Sequence, residues 1–213
     1  GKLGLLPVVA SANDFLMRLA AKQNVWPTQS WKLIRAASDY GTEGGQALVD
    51  AAPQQLQTFC GFEEGQTEAD LSYNSLGPGD AVLLAWELTT GSVSASLTNL
   101  SLRENSIGSE GAVAVAKSLE VNASIKTLDL GYNGIGSEGA VALGKAINVN
   151  ASLTSADLSF NEIGKDGAVA IAKSLEVNAS LTSIDLSKND LRKDGAVAVA
   201  NALHVNASLK SLK

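Results

Sequence analysis

The sequence predicts an α/β solenoid, in which one strand–loop–helix unit is repeated and stacked. A 28-residue pattern occurs in four full copies from Leu97 and begins a fifth time at Leu209. Near the start of each copy, apolar residues two apart have the spacing of a strand, and near its end, apolar residues four apart have the spacing of one side of a helix. One such unit cannot bury its own apolar side, whereas stacked units share a continuous core.

Each element of the unit follows from the positions of its residues, counted from Leu97 as position 1. Positions 4 and 6 predict the strand, position 11 an apolar residue in the loop, and positions 15, 19 and 23 the helix. One copy departs from this pattern, with Ala156 at position 4. In the first copy these positions carry Leu97, Leu100, Leu102, Ile107, Gly111, Val115 and Leu119.

Two non-aliphatic positions have mechanical explanations. Position 9 is Asn105, Asn133, Asn161 or Asn189, where the chain leaves the strand and an amide can satisfy both a backbone donor and a backbone acceptor. Position 15 is Gly, where the helix comes closest to its neighbour and a side chain would separate the layers. Strands about 4.8 Å apart and helices about 8–10 Å apart predict a bend with the strands on the inside.

This pattern resembles the leucine-rich repeat of the ribonuclease-inhibitor type, which also resembles the repeats of NOD-like receptors and of the activator of the Ran GTPase. The resemblance covers about residues 66–213. It implies a right-handed solenoid in a horseshoe arc, with a parallel inner sheet, outer helices and a ladder of Asn amides. It also implies that ligands bind on the inner surface of the strands.

Three regions are expected along the chain. Residues 1–40 precede the repeats and predict a helical N-terminal cap that docks on the open end of the solenoid. Residues 41–96 predict degenerate repeats or a modified cap, since 69–74 (ADLSYN) matches 156–161 (ADLSFN). A hairpin is expected between residues 59–62 and 69–71. Residues 97–213 form the regular repeats.

The last residues begin another strand with Leu209 and Leu212 and include no polar closing unit. An uncapped solenoid end exposes apolar core and a strand edge. We therefore expect this end to be continued by the natural protein or covered by another chain.

Composition limits the function classes. A net charge of −6 argues against an extended phosphate-binding face, and hence against nucleic acid as the partner. The longest run of aliphatic and aromatic residues, Ala81–Trp86, is far shorter than the roughly 18 residues that span a bilayer, so a soluble protein is expected. Cys60 is the single cysteine, which favours an intracellular reducing compartment, either cytoplasm or organelle interior.

No motif predicts catalysis, a metal site or a cofactor. Residues 139–145 (GAVALGK) begin like a phosphate-binding loop, but Ala146 follows where Ser or Thr is needed, and the segment belongs to a repeat helix. Four Asn-Ala-Ser triplets match the glycosylation sequon, and we interpret their Asn residues as helix-end residues in the left-handed conformation. These are Asn122, Asn150, Asn178 and Asn206.

Candidate binding residues lie on the strands and on the loop that follows. Asp129, Asp157 and Asp185 form an acidic column, which would favour a basic ligand face or would belong to the family's ordinary strand consensus. Tyr132 and Phe160 are either interface anchors or residues that pack on the loop below. Position 8 forms a rim of Glu104, Tyr132, Phe160 and Lys188, and Arg103 precedes it at position 7.

The sequence therefore predicts a non-catalytic scaffold for protein–protein interaction, which binds a protein partner through the inner sheet and adjoining loops and could be a subunit of a larger complex. The alternative is a regulatory module, either a GTPase activator that uses Arg103 or the sensor end of a NOD-like receptor.

Overall fold

The computed structural model describes residues 41–50, 52, 58–90 and 93–213, so the expected N-terminal cap over residues 1–40 lies outside the described residues. Short strands alternate with longer helices along this part of the chain. The strands are β1 (Glu68–Asp70), β2 (Asn99–Ser101), β3 (Thr127–Asp129), β4 (Ser155–Asp157), β5 (Ser183–Asp185) and β6 (Ser211–Leu212). The helices are α1 (Gly41–Asp50), α2 (Pro78–Thr90), α3 (Gly108–Leu119), α4 (Gly136–Val149), α5 (Gly164–Leu175) and α6 (Arg192–Val205).

The strands form one parallel sheet in chain order, from β1 to β6. Leu100 pairs with Leu128, and Leu128 with Ala156, so the register advances by one 28-residue unit per strand. Between β1 and β2 the register joins Ala69 to Leu100, which is three residues more. The predicted α/β solenoid with a parallel sheet is confirmed.

The main core cluster runs between the sheet and the helices from Phe62 to Ala202, and a smaller cluster joins Leu48, Phe59 and Leu83. The middle residue of each strand from β1 to β5 is buried, while its neighbours on the strand are partly or fully exposed. Ala156 is buried like its larger counterparts. The alternation leaves one face of the sheet free for contacts with another molecule.

The position-15 glycines have the contact role that the sequence predicted. A Cβ added to Gly139 would lie 2.8 Å from Cβ of Ala112 on the preceding helix, and one added to Gly167 would lie 2.6 Å from Cβ of Ala140. Both distances are shorter than a normal contact between carbon atoms. Glycine therefore permits the helices to stack this closely.

The position-9 asparagines form the expected ladder. Asn161, which is fully buried, donates from Nδ2 to the carbonyls of Leu130 (2.8 Å) and Leu158 (3.1 Å). Its Oδ1 accepts the backbone N–H of Asn133 at 2.8 Å. Each rung therefore joins its own strand end to the preceding repeat.

The asparagines of the four sequon triplets form a second ladder on the opposite side of the repeats. Nδ2 of Asn150 donates to the carbonyls of Leu119 (2.7 Å) and Asn122 (2.9 Å), and its Oδ1 accepts the N–H of Leu153 at 2.8 Å. The expected left-handed conformation is wrong, because Asn150 is extended, with φ −76° and ψ 124°. The amide nitrogen that a glycan would need is already used in the fold.

The hairpin expected between residues 59–62 and 69–71 is also wrong. Residues 59–62 form no strand, and β1 pairs in parallel with β2. The side chain of Glu87 on α2, which is 0% exposed, instead holds the upstream segment. Its Oε1 accepts Oγ1–H of Thr58 at 2.7 Å, N–H of Cys60 at 2.9 Å and N–H of Phe59. Burial raises the pKa of Glu87, although these hydrogen bonds oppose the shift.

The last helix exposes residues whose counterparts are buried in the preceding repeat. Ala196, Ala200 and Leu203 of α6 are exposed, whereas the equivalent residues of α5 are buried. No following helix packs on these side chains within the described part of the chain. The expected continuation or covering of this end stays a prediction.

Candidate binding surface

The rim residues project from a repeated turn with left-handed backbone. The values of φ lie between 52° and 60° at Tyr73, Glu104, Tyr132, Phe160 and Lys188. Such values are uncommon for residues with a side chain, so their recurrence at five consecutive strand ends is a property of the turn. Tyr73 also belongs to this rim, although it was not among the predicted rim residues; the match of ADLSYN to ADLSFN was the signal that places it there.

Tyr132 and Phe160 stack on each other. Their ring centroids are 3.9 Å apart with an interplanar angle of 13°, and each residue remains 37% exposed. The guanidinium carbon of Arg103 lies 5.0 Å from the centroid of the Tyr132 ring, within cation–π distance. The three side chains thus form one partly exposed stack across three successive repeats.

Arg103 also reaches two carboxylates of the acidic column. Its Nη1 donates to Oδ2 of Asp157 at 3.2 Å and lies 3.7 Å from Oδ1 of Asp129. Gly131 leaves room for this side chain, because a Cβ at that position would come within 2.5 Å of Nη1. Arg103 and Gly131 occupy position 7 in neighbouring repeats, and the missing side chain of Gly131 provides the space that the side chain of Arg103 fills.

Asp70 on β1 occupies the same strand position as the acidic column, and each of these four aspartates has a local role in the turn. Each Oδ1 accepts the N–H two residues later, at 2.8–3.0 Å. The donors are Ser72 for Asp70, Gly131 for Asp129, Ser159 for Asp157 and Ser187 for Asp185. This hydrogen bond explains why aspartate follows the buried strand residue in all four units.

The column differs in electrostatic environment from one end to the other. Burial raises the pKa of Asp129, and the nearby charge of Asp157 adds to this effect, although Arg103 opposes it. Burial also acts to raise the pKa of Asp185, but hydrogen bonds from Ser187 and the charge of Lys213 lower it overall. Lys213 Nζ lies 3.7 Å from Asp185 Oδ2. Cations of the chain therefore already neutralise part of the column.

At the upstream end of the rim, Tyr73 and Glu104 contact each other. The hydroxyl of Tyr73, a residue that is 67% exposed, donates to Oε1 of Glu104 at 3.0 Å. Lys188 stands at the downstream end of the rim. The sequence-predicted candidates thus lie along one edge of the sheet, and the contacts bring together Arg103, Tyr132, Phe160, Asp129 and Asp157.

The arrangement suits non-covalent recognition. Among the described residues, no group of three His, Cys, Asp or Glu side chains is placed to hold a metal ion. Residues 139–145 lie inside α4, as the sequence predicted, rather than in a loop between a strand and a helix. Across the described ranges, no helix is both long enough and apolar enough to span a membrane.

Comparisons with known proteins agree with this architecture. The sequence profile described as Leucine Rich repeat matches residues 93–116, 121–144, 149–172 and 177–200. Leiomodin-1 actin-binding site 2 (ABS2) is a similar solved structure, with a TM-score of 0.52 and 21% identity over 63% of this chain and 76% of that one. The C-terminal domain of a tropomodulin from Caenorhabditis elegans is another, with a TM-score of 0.54 and 17% identity over 68% and 86% of the two chains. No curated protein matches the sequence.

Proposed function

Because the chain belongs to the leucine-rich-repeat family, with repeats of the ribonuclease-inhibitor type, we propose that it is a non-catalytic scaffold that binds a protein partner. The partner docks on the exposed face of the sheet and on the rim beside it. The chain acts in this way as a subunit of a larger complex.

The stack of Arg103, Tyr132 and Phe160 is the observation that carries this proposal. Aromatic and arginine side chains dominate the energetics of many protein interfaces. Here each ring is held by its neighbour in the unbound chain, so little side-chain entropy is lost when a partner covers it. A solvent-exposed surface that is already ordered suits an interface anchor.

Charge supports a partner with a basic group near the upstream end. Ion pairs within the described residues engage Asp129, Asp157 and Asp185 but not Asp70. Asp70 lies on β1 beside Glu68, and both are exposed. A cationic side chain of the partner would relieve the repulsion between these two carboxylates without displacing an existing pair.

Recognition is favoured over the GTPase-activator alternative by the contacts of Arg103. An arginine that stabilises phosphoryl transfer must direct its guanidinium at the transferred phosphate. The guanidinium of Arg103 instead contacts Asp157 and lies over Tyr132. Single-turnover GTP hydrolysis by candidate GTPases, with and without the chain, tests this alternative directly.

The test compares Tyr132→Ala/Phe160→Ala with Val197→Ala, which truncates an exposed apolar side chain on α6, away from the rim. The immobilised proteins are incubated with lysate of the source organism and captured partners are quantified by mass spectrometry. A combined loss of about 2 kcal/mol or more from the two anchors predicts at least a 30-fold weaker capture. Val197→Ala should behave like the unmodified chain.

Filamentous actin is a defined first probe, because the leiomodin-1 structure is named as an actin-binding site. The likeness at 21% identity concerns the fold, so actin tests a partner class and not a known property of this chain. Circular dichroism establishes that all variants are folded. Undiminished capture of every partner by the folded double variant would refute the rim as the docking surface.

A further inference from the structure

A second exposed surface lies at the helix-to-strand side of the repeats, away from the rim. Val121, Val149, Val177 and Val205 are 58–71% exposed and occupy the same position in four consecutive repeats. We call these four residues the valine column. An exposed Ala lies two residues after each valine, and the Asn between them points into the second asparagine ladder.

Several exposed positions differ from copy to copy, but the valine column does not. The rim position is Glu, Tyr, Phe and Lys in the four repeats, and the residue before each valine is Glu, Asn, Glu and His. The fold needs no apolar side chain at a position that is mostly exposed. Retention of Val and of the following Ala in all four copies therefore indicates that this surface is used.

The backbone beneath the column is held in place. Asn122 and Asn150, which directly follow two of the valines, are buried and hydrogen-bonded to carbonyls of the preceding repeat. The valines therefore have a regular spacing that is fixed by the stacking of the repeats. A second copy of the same chain has valines at an identical spacing, so the two columns can meet residue by residue without a change in the backbone.

In the first repeat, the charges on the two sides of the column are complementary. Glu120 lies on its helix side and Lys126 on its strand side, and both are exposed. No ion pair within the described part of the chain uses either residue. A two-fold axis that runs along the column places Glu120 of each copy beside Lys126 of the other. Reversing one copy would instead bring Lys126 towards Lys210.

We propose that the chain forms a homodimer in which two valine columns meet side by side and run in the same direction. The four valines expose roughly 400 Å² per copy, which is the size of the largest apolar patch on a typical monomer, and such a patch is often functional. A stable interface needs about 800 Å² per partner. In the proposed dimer, the remaining area would come from the neighbouring alanines and the charged flanks. The dimer leaves the rim open for the partner of the proposed function.

Mass measurement by light scattering over a concentration series provides the first test. The unmodified chain should show a dimer that dissociates on dilution, and Val149→Lys/Val177→Lys should raise the dissociation constant at least tenfold. Val197→Lys adds one of these charges on α6 outside the column and should leave the constant unchanged. A chain that is monomeric at its highest soluble concentration would overturn the proposal.

Disulfide trapping tests the direction of the two copies in a Cys60→Ser background. The shared two-fold axis brings Val149 next to Val149 of the second copy, so Val149→Cys should form a cross-linked dimer on oxidation. Cross-linking between Val121→Cys and Val205→Cys chains, without the Val149→Cys product, would refute the same-direction arrangement. Partner capture through the rim is measured separately, so either proposal can fail while the other stands.

Discussion

Removing one rung of the position-9 ladder tests how the repeats are coupled. We choose Asn161→Ala because Asn161 is fully buried and lies in the middle of the regular repeats. The matched control is Asn148→Ala, which makes the same chemical change at an exposed position on α4. Both variants lose an amide, but one amide joins two repeats and the other faces solvent.

The expected loss of stability in Asn161→Ala depends on which backbone groups are left without any hydrogen-bond partner. The carbonyl of Leu130 keeps a bond from Nδ2 of Asn133 (3.0 Å), and the carbonyl of Leu158 keeps one from Nδ2 of Asn189 (2.8 Å). The N–H of Asn133, at 2.8 Å from Oδ1 of Asn161, has no other acceptor among the described residues.

The N–H of Ile135, at 3.4 Å from the same oxygen, has no second acceptor within the described ranges either. An unsatisfied buried donor costs about 1–3 kcal/mol, and the longer bond contributes less. We expect Asn161→Ala to lower the free energy of unfolding by about 3 kcal/mol.

Urea unfolding followed by circular dichroism gives the measurement. With a slope of about 2 kcal/mol/M, a loss of 3 kcal/mol shifts the midpoint by about 1.5 M. Asn148→Ala should shift it by no more than about 0.3 M, since a solvent-exposed substitution changes stability little. Equal midpoints for Asn161→Ala and Asn148→Ala would show that the ladder does not couple the repeats as described.

Two further predictions concern packing and pH. Gly144→Ala introduces the residue found at this position in the flanking repeats, but its Cβ would lie 3.0 Å from the carbonyl carbon and oxygen of Ala170. We therefore expect the variant to lose about 1 kcal/mol of stability in the same urea assay. A variant more stable than the unmodified chain would contradict this contact. Glu87→Gln should gain stability relative to the unmodified chain as pH rises from about 4 to 7. Burial raises the pKa of Glu87, so the stability that its neutral carboxyl contributes is fully present below about pH 4.3 and is lost as pH rises through the folded-state pKa. If the difference in urea midpoint between the two proteins did not change with pH, the raised pKa of Glu87 would be refuted.

The order of strands and helices could be read from spacing alone. The intervals between Leu97, Leu100 and Leu102, and later between Gly111, Val115 and Leu119, are set by how far each residue advances along a strand or a helix. The same intervals recur in every copy. Stacking is then the arrangement that buries all the apolar sides. The Gly contacts also follow from this periodic placement, whereas the position-9 ladder was implied by the resemblance to the ribonuclease-inhibitor-type repeat.

The candidate surface was predicted in part. Position along the strand placed Asp129, Asp157 and the rim on one edge, because residues at equal repeat positions lie side by side in a parallel register. Their contacts did not follow, since Arg103 and Asp157 are 54 residues apart and their hydrogen bond depends on the side chain crossing over Gly131. A spacing pattern specifies neither that path nor the stacking of two rings.

Predictions made from neighbouring residues alone were wrong where a hydrogen-bond partner comes from a distant part of the chain. The sequon asparagines looked like left-handed helix ends, but their amides turn inward because carbonyls of the preceding repeat are within reach. Residues 59–62 looked like a strand, but Glu87 accepts the N–H groups that a neighbouring strand would have used. Periodicity thus establishes which residues share a layer, since it reflects backbone geometry within one unit. The partner of each buried polar group is settled when the layers stack, because that partner comes from another unit.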